Sequence, residues 1–110
     1  MKLQPGEIYL ADIFEGGKRP VIIISREELS RGTLSLVVPI TSSRVAERRR
    51  YVNYVFLSAG TGGLRTDSVA ATHLVQPVRT DDLMERWGKV PDATLNAIRV
   101  ALAWSIGLVP

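Results

Sequence analysis

The chain of 110 residues has no cysteine and only one histidine. Disulfides, a thiolate nucleophile and thiolate-bound metal are therefore all absent from its chemistry, and a lone imidazole leaves few ways to build a zinc site, so no metal and no cofactor is expected. Long apolar stretches are missing as well. Nothing approaches the roughly 18 residues a membrane span needs, and no apolar run of the signal-peptide kind follows Lys2, so the reading is a cytosolic protein without membrane contact. Low-complexity tracts and β-α-β alternation do not occur either, which sets aside a disordered tail and a doubly wound parallel sheet. With 45% hydrophobic and 23% charged residues, the chain reads as one globular domain over 1–110, burying roughly 65% of its unfolded surface around one core.

What is present in excess is arginine. Of the 14 basic residues only Lys2, Lys18 and Lys89 are lysine, against 11 acidic residues, for a net charge of +3 and a pI near 9.7. Guanidinium offers a planar fork of donors that suits phosphate, so the balance favours a polyanionic partner.

Most of the chain punctuates as short strands. Glu7-Ile8-Tyr9-Leu10-Ala11-Asp12 alternates after the turn Pro5-Gly6, Val21-Ile22-Ile23-Ile24 is a continuous β-branched run, and Gly16-Gly17 between them marks a hairpin. Ser25-Arg26-Glu27-Glu28 has capping-box spacing, so a single helical turn leads to a strand over 34–38. The segment 39–50 reads as a polar, basic loop. Further strands are expected over 51–57, 68–72 and 74–78, each set off by turn residues.

One long helical pattern covers 91–106, with Pro91 at its first position and Asp92 complementing the positive end of the dipole. Leu95, Ile98, Leu102 and Ile106 form a stripe for covering an open end of the sheet, while Ala93, Ala97, Val100 and Trp104 line the other side. That second side either meets another chain, with Val100 and Trp104 at the interface, or lets Trp104 fold back on its own domain. Five or more strands with a C-terminal helix predict a mainly β protein, a small strongly bent antiparallel sheet or partly open barrel.

Several residues can carry chemistry. Arg19 stands before Pro20 at the entry of a strand, where proline restricts it to extended backbone, and an arginine so held can give two parallel hydrogen bonds to a phosphate. Thr41-Ser42-Ser43 places three hydroxyls in a row, for phosphate oxygens or for capping a turn. Arg44 and Arg48-Arg49-Arg50 then precede Tyr51 and Tyr54, a basic loop beside aromatics that offers phosphate contacts and base stacking, or a solvated loop. The stretch 60–68, containing Arg65 and Asp67, can form an anion-binding nest or a plain turn, and lacks the ending of a nucleotide-binding loop. His73 is a general base or a structural histidine.

In their order and spacing, Gly6-Glu7-Ile8-Tyr9-Leu10-Ala11-Asp12, Lys18-Arg19-Pro20-Val21-Ile22-Ile23-Ile24-Ser25, Pro39-Ile40-Thr41-Ser42 and Gly62-Gly63-Leu64-Arg65-Thr66-Asp67-Ser68-Val69 resemble the MazF/PemK family. Gly88-Lys89-Val90 and the ending Ile106-Gly107-Leu108 are similar too. The resemblance implies a homodimeric Src-homology-3-like barrel, the toxin of a type II toxin-antitoxin pair. Such a toxin cuts single-stranded RNA without metal, leaving 2′,3′-cyclic phosphate and 5′-hydroxyl ends, and is held by a cognate antitoxin. It places the catalytic arginine on Arg19 and the catalytic threonine on Thr41. RNA-binding roles then fall on Lys18, Ser42, Ser43, Arg44, Arg48, Arg49, Arg50, Arg65, Asp67 and His73. RNA supplies its own nucleophile in the 2′-hydroxyl, so the protein needs chiefly to align it and neutralise phosphate charge.

Two departures from the family pattern stand out. The link from Asp12 to Arg19 is shorter than the loop that usually closes over RNA. Leu74-Val75-Gln76 also stands where relatives have a glutamine, an aliphatic residue and an arginine, so contacts made there are either lost or replaced by His73. The rivals are a non-catalytic barrel of the related gyrase-poison kind and a nucleic-acid- or protein-binding module, and the pairing of Arg19 with Thr41 argues against the first.

Overall fold

The computed structural model describes residues 2–110, with Phe14 described in its backbone only. The chain opens with a hairpin, β1 (Glu7–Phe14) and β2 (Gly17–Ile23). A single helical turn α1 (Glu27–Ser30) leads to the long strand β3 (Leu34–Thr41). A second turn, α2 (Val45–Arg48), leads to β4 (Tyr54–Leu57) and β5 (Ser68–Ala71). Two more strands, β6 (Gln76–Arg79) and β7 (Leu83–Lys89), come before the only long helix among the described residues, α3 (Asp92–Ser105).

The pairing is antiparallel throughout, in the order β4-β5-β3-β2-β1-β7, with β6 added to β3. β3 organises the sheet, because its first half pairs with β6 (Leu34 opposite Arg79, Val37 opposite Gln76) and its last residues pair with β5 (Ile40 opposite Ala70, Thr41 opposite Val69). Register shifts in β1 on both of its edges add bend. The result is a strongly bent open sheet with two cores, one on each face.

The two cores explain the β-branched run in β2. Ile22 joins Ile8, Val38, Ile40, Leu57, Leu95 and Ile98 on the face covered by α3. Val21 and Ile23 point the other way, into a cluster with Leu3, Tyr9, Ala11, Val37 and Val78 that the bent sheet encloses. With both faces buried, alternation disappears and a continuous apolar stretch is required.

Several expected boundaries move. β3 continues through Pro39, Ile40 and Thr41 rather than giving way to a loop, because β5 supplies a new partner where β2 is lost. The rest of 39–50 contains a helical turn, α2. The strand expected over 51–57 starts at Tyr54, after a turn in which the Tyr54 N–H donates to the Tyr51 carbonyl. The capping box does not form. Arg26 is the N-cap of α1, without a side-chain bond, while the Ser25 hydroxyl is buried and shared between Ser30 and the Leu36 N–H. Pro91 is the cap of α3 rather than its first residue.

The inward stripe of α3 is Leu95, Ile98 and Ala101. Leu102 is half-buried and Ile106 lies beyond the last helical residue, 65% exposed. Ser105 takes the place expected of Ile106, its hydroxyl donating to the Ala101 carbonyl and meeting that of Thr72. On the outer side Val100 is 58% and Trp104 42% exposed, so Trp104 does not fold back into its own core. No helix among the described residues is long and apolar enough to cross a membrane.

Candidate active site

β2 and β3 pair as Ile23 with Val37, Ile22 with Val38 and Val21 with Pro39, and there the ladder ends. Neither Pro20 nor Pro39 has an N–H to donate, so the backbone cannot continue the ladder with its full set of bonds. Two residues further along each strand stand Arg19 and Thr41, where the strands part. Each is fixed from its other side: Arg19 pairs with Ala11 of β1, and Thr41 with Val69 of β5.

The opening is a cleft of about 360 Å³. Lys18, Arg19 and Pro20 line it from β2, Ile40 to Ser43 from the end of β3, Leu64, Arg65, Thr66 and Ser68 from the loop before β5 and its first residue, and Trp87 from β7. Three cations converge here, and among the described residues that line the cleft there is neither a carboxylate nor an imidazole. A pocket with one sign of charge and several hydroxyls is built for a polyanion. Among the described residues no group of three His, Asp or Glu side chains is placed to hold a metal ion.

Thr41 is half-buried, and its Oγ1 accepts the N–H of Ser43 at 3.2 Å, forming a local hydroxyl turn. That bond uses a lone pair and leaves the hydroxyl proton available to a phosphate oxygen. The same turn ends at Arg44, the only non-glycine residue with positive φ among those described, at φ 53°. Arg48 reaches back to the Ser43 carbonyl at 3.3 Å and holds this corner. The Arg19 guanidinium lies over the hairpin tip, where a Cβ on Gly16 would approach its Nη2 to 2.9 Å. The tip is a two-residue turn, Glu15-Gly16, between the paired Phe14 and Gly17, so the hairpin is as short as the sequence implies.

Of the residues expected at the site, the cleft brings together Lys18, Arg19, Thr41, Ser42, Ser43 and Arg65. It does not include Arg44, Arg48, Arg49, Arg50, Asp67 or His73. Arg48 lies 5.8 Å from the centre of the Tyr54 ring and Arg49 stacks on Phe56 at 3.7 Å, both against β4. Asp67 accepts the N–H of Ala59 at 2.8 Å and pins its own loop. His73 is exposed, with Nδ1 at 2.7 Å from the Asn53 side-chain amide and its ring edge-on to Tyr54 at 5.3 Å.

The segment 60–64 is a turn in which three N–H groups are used locally, Gly60 to Leu64, Thr61 to Ser58 and Leu64 to Thr61. Gly63, at φ 84°, packs so closely on β7 that a Cβ there would collide with the Trp87 carbonyl. Trp87 is a cleft residue that the sequence pattern does not mark. Trp87 sits on an edge strand whose run Met84, Glu85, Arg86 is exposed, so no alternation marks it.

Away from the cleft, the buried Glu7 accepts from Arg86 Nε at 2.6 Å and from the Gln4 N–H at 2.5 Å, tying β1 to β7 and to the preceding turn. The carboxylate raises the Arg86 pKa further above its ordinary value. The neighbouring Tyr9 phenol is pushed up by burial and by Glu7, against the opposing effect of Arg86.

A family described as PemK-like, MazF-like toxin of type II toxin-antitoxin system matches residues 4–106. Endoribonuclease MazF9 of Mycobacterium tuberculosis is 29% identical, covering 96% of this chain and 98% of the relative. Endoribonuclease MazF4 of the same organism is 30% identical, covering 94% and 91% respectively. The solved structure of an endoribonuclease in complex with its cognate antitoxin from a mycobacterial species superposes with a TM-score of 0.85 at 25% identity, over 98% of both chains.

Proposed function

The chain belongs to the PemK-like, MazF-like toxins of type II toxin-antitoxin systems, and from that premise we propose that it is an endoribonuclease that cuts single-stranded RNA at the cleft between β2 and β3. The observation that carries the assignment to this cleft is the meeting of Arg19 and Thr41 in one cationic pocket. Residues 1–110 act as one toxin domain, working in the cytoplasm, paired with a second copy and restrained by a cognate antitoxin. The exposed outer side of α3, with Val100 and Trp104, supports the paired state.

The chemistry is internal transfer. The 2′-hydroxyl of the substrate attacks the adjacent phosphorus, the bond to the 5′-oxygen breaks, and the products carry a 2′,3′-cyclic phosphate and a 5′-hydroxyl. Arg19 lies against the non-bridging oxygens, where charge gathers in the transition state, and gives paired hydrogen bonds. Thr41 donates its hydroxyl to one of the same oxygens, while Ser43, bonded to Thr41, keeps that hydroxyl aimed. Lys18 and Arg65 hold flanking phosphates.

Incubation of the purified protein with a long single-stranded RNA in excess chelator tests the proposal. Discrete fragments with cyclic-phosphate ends are expected, and a 2′-deoxy substitution at a mapped cut site abolishes cutting there. Intact RNA under these conditions, from folded protein free of antitoxin, rejects the nuclease reading in favour of a binding barrel.

A further inference from the structure

Trp87 is the one aromatic residue among those described that lines the cleft. Its ring packs on the apolar core at one side and borders the cleft at another, half-buried. Its backbone is clamped: Gly63 sits against its carbonyl, and the neighbouring Gly88 touches the main chain of Gly62 and Gly63 so closely that a Cβ would come to 2.7 Å. A side chain whose main chain is held this firmly has less freedom to lose when something stacks on its ring.

The pairs of Arg48 with Tyr54 and of Arg49 with Phe56 lie outside the cleft, and their geometry differs. Arg49 covers Phe56 at 3.7 Å, closing that face. The Arg65 guanidinium stands 6.0 Å from the Trp87 centroid, at the outer limit of cation–π attraction. The guanidinium thus lies over the ring at a distance that leaves it out of contact. A flat, partly exposed ring beside a cationic pocket, with a guanidinium 6.0 Å from its centre, is what a nucleobase attached to a bound phosphate needs: one surface for stacking and one charge for its backbone.

We infer that Trp87 is the stacking shelf for the base of a nucleotide flanking the scissile phosphate, with Arg65 holding that nucleotide's backbone. This rests on the nuclease reading of the same cleft and adds a positioning residue to it. The shelf keeps the phosphodiester in line with Arg19 and Thr41, so its loss lowers turnover of bound RNA as well as affinity. Stacking is tolerant of base identity because every base has a flat face, so the shelf fixes position and leaves sequence choice to other contacts.

The test uses a short RNA spanning a mapped cut site, with an abasic ribose placed at each flanking nucleotide in turn, and wild type, Trp87→Ala and Trp87→Phe. At one of the two positions, removing the base should lower wild-type kcat/KM by roughly 5- to 100-fold. The same removal should leave Trp87→Ala little changed, and Trp87→Phe should keep most of the wild-type rate. An equal penalty in wild type and Trp87→Ala at both positions overturns the inference. A second arm needs no cutting and no alanine variant: tryptophan fluorescence with a 2′-O-methyl oligonucleotide of mixed sequence. Quenching in wild type that disappears in Trp87→Phe supports the shelf, and equal quenching in both, assigning it to Trp104, overturns it. Because this arm reads contact alone, a protein that stacks RNA and does not cut it defeats the nuclease reading while leaving the shelf in place.

Discussion

Arg19 and Thr41 line one cleft, each two residues past the last ladder pair, Val21 with Pro39, where two prolines leave the strands free to part. Sheet geometry alone therefore sets the two side chains on facing strands around one cleft. A guanidinium and a hydroxyl meet there although 22 positions separate them in the chain.

Thr41 tests the hydroxyl. Thr41→Ser keeps both the donor and the acceptor for the Ser43 N–H and should retain kcat/KM to within about tenfold, whereas Thr41→Ala removes a donor aimed at transition-state charge and should lose about 10²- to 10³-fold. Steady-state cleavage of a short RNA separates the two. Equal losses in both variants place the importance of Thr41 in its methyl group or its backbone.

Gly63 tests the clamp on β7. At φ 84° and in contact with the Trp87 carbonyl, Gly63→Ala adds left-handed strain to a steric clash and should destabilise by roughly 2–4 kcal/mol. Gly60→Ala, at φ 94° with open space around it, carries the strain alone and should cost about 1–2 kcal/mol. Urea unfolding of the two variants side by side measures the difference, and equal losses refute the close packing.

Trp104 tests the outer side of α3. With 42% of its surface exposed and no core to support, Trp104→Glu should leave the melting temperature of the single chain nearly unchanged. In the paired state it buries a charge, and the molecule should shift toward monomer in light scattering at micromolar concentration. A variant that stays dimeric places the interface elsewhere.

Tyr9 predicts an alkaline limit on stability. Burial raises the phenol's folded-state pKa above its ordinary value, so the unfolded chain gives up this proton first. The sign follows: stability is intact below about pH 10 and falls as pH rises from there through the folded value. Tyr9→Phe should flatten that decline in denaturant midpoints taken between about pH 8 and 11, and an unchanged slope assigns the loss to other groups.

Much of this was legible from the chain because local rules and tertiary context agreed. The hairpin of β1 and β2 announces itself through alternation, a β-branched run and paired glycines, and Arg19 before Pro20 is marked by the proline. Where tertiary contacts overrule local pattern, the sequence misleads. Ser25 has the spacing of a cap, yet it is buried and spends its hydroxyl on Ser30 and Leu36. Ile106 has the period of α3 but falls past its end, and Ser105 turns inward because Thr72 offers it a partner. β7 carries few buried residues, since it is an edge strand, and with it Trp87 stayed hidden. Within the basic run 44–50, Arg48 and Arg49 lie against Tyr54 and Phe56 rather than in the cleft. Nothing local encodes that placement.

The central claim is that Arg19 and Thr41 act on one phosphodiester, and a double-mutant cycle on RNA cleavage tests it most directly. With Arg19→Ala, Thr41→Ala and the double variant all folded, each single change should lower kcat/KM about 10²- to 10³-fold and the double change by clearly less than the product, because both groups serve the same transition state. Cutting by Arg19→Ala at the wild-type rate, or losses that multiply in full, contradicts it.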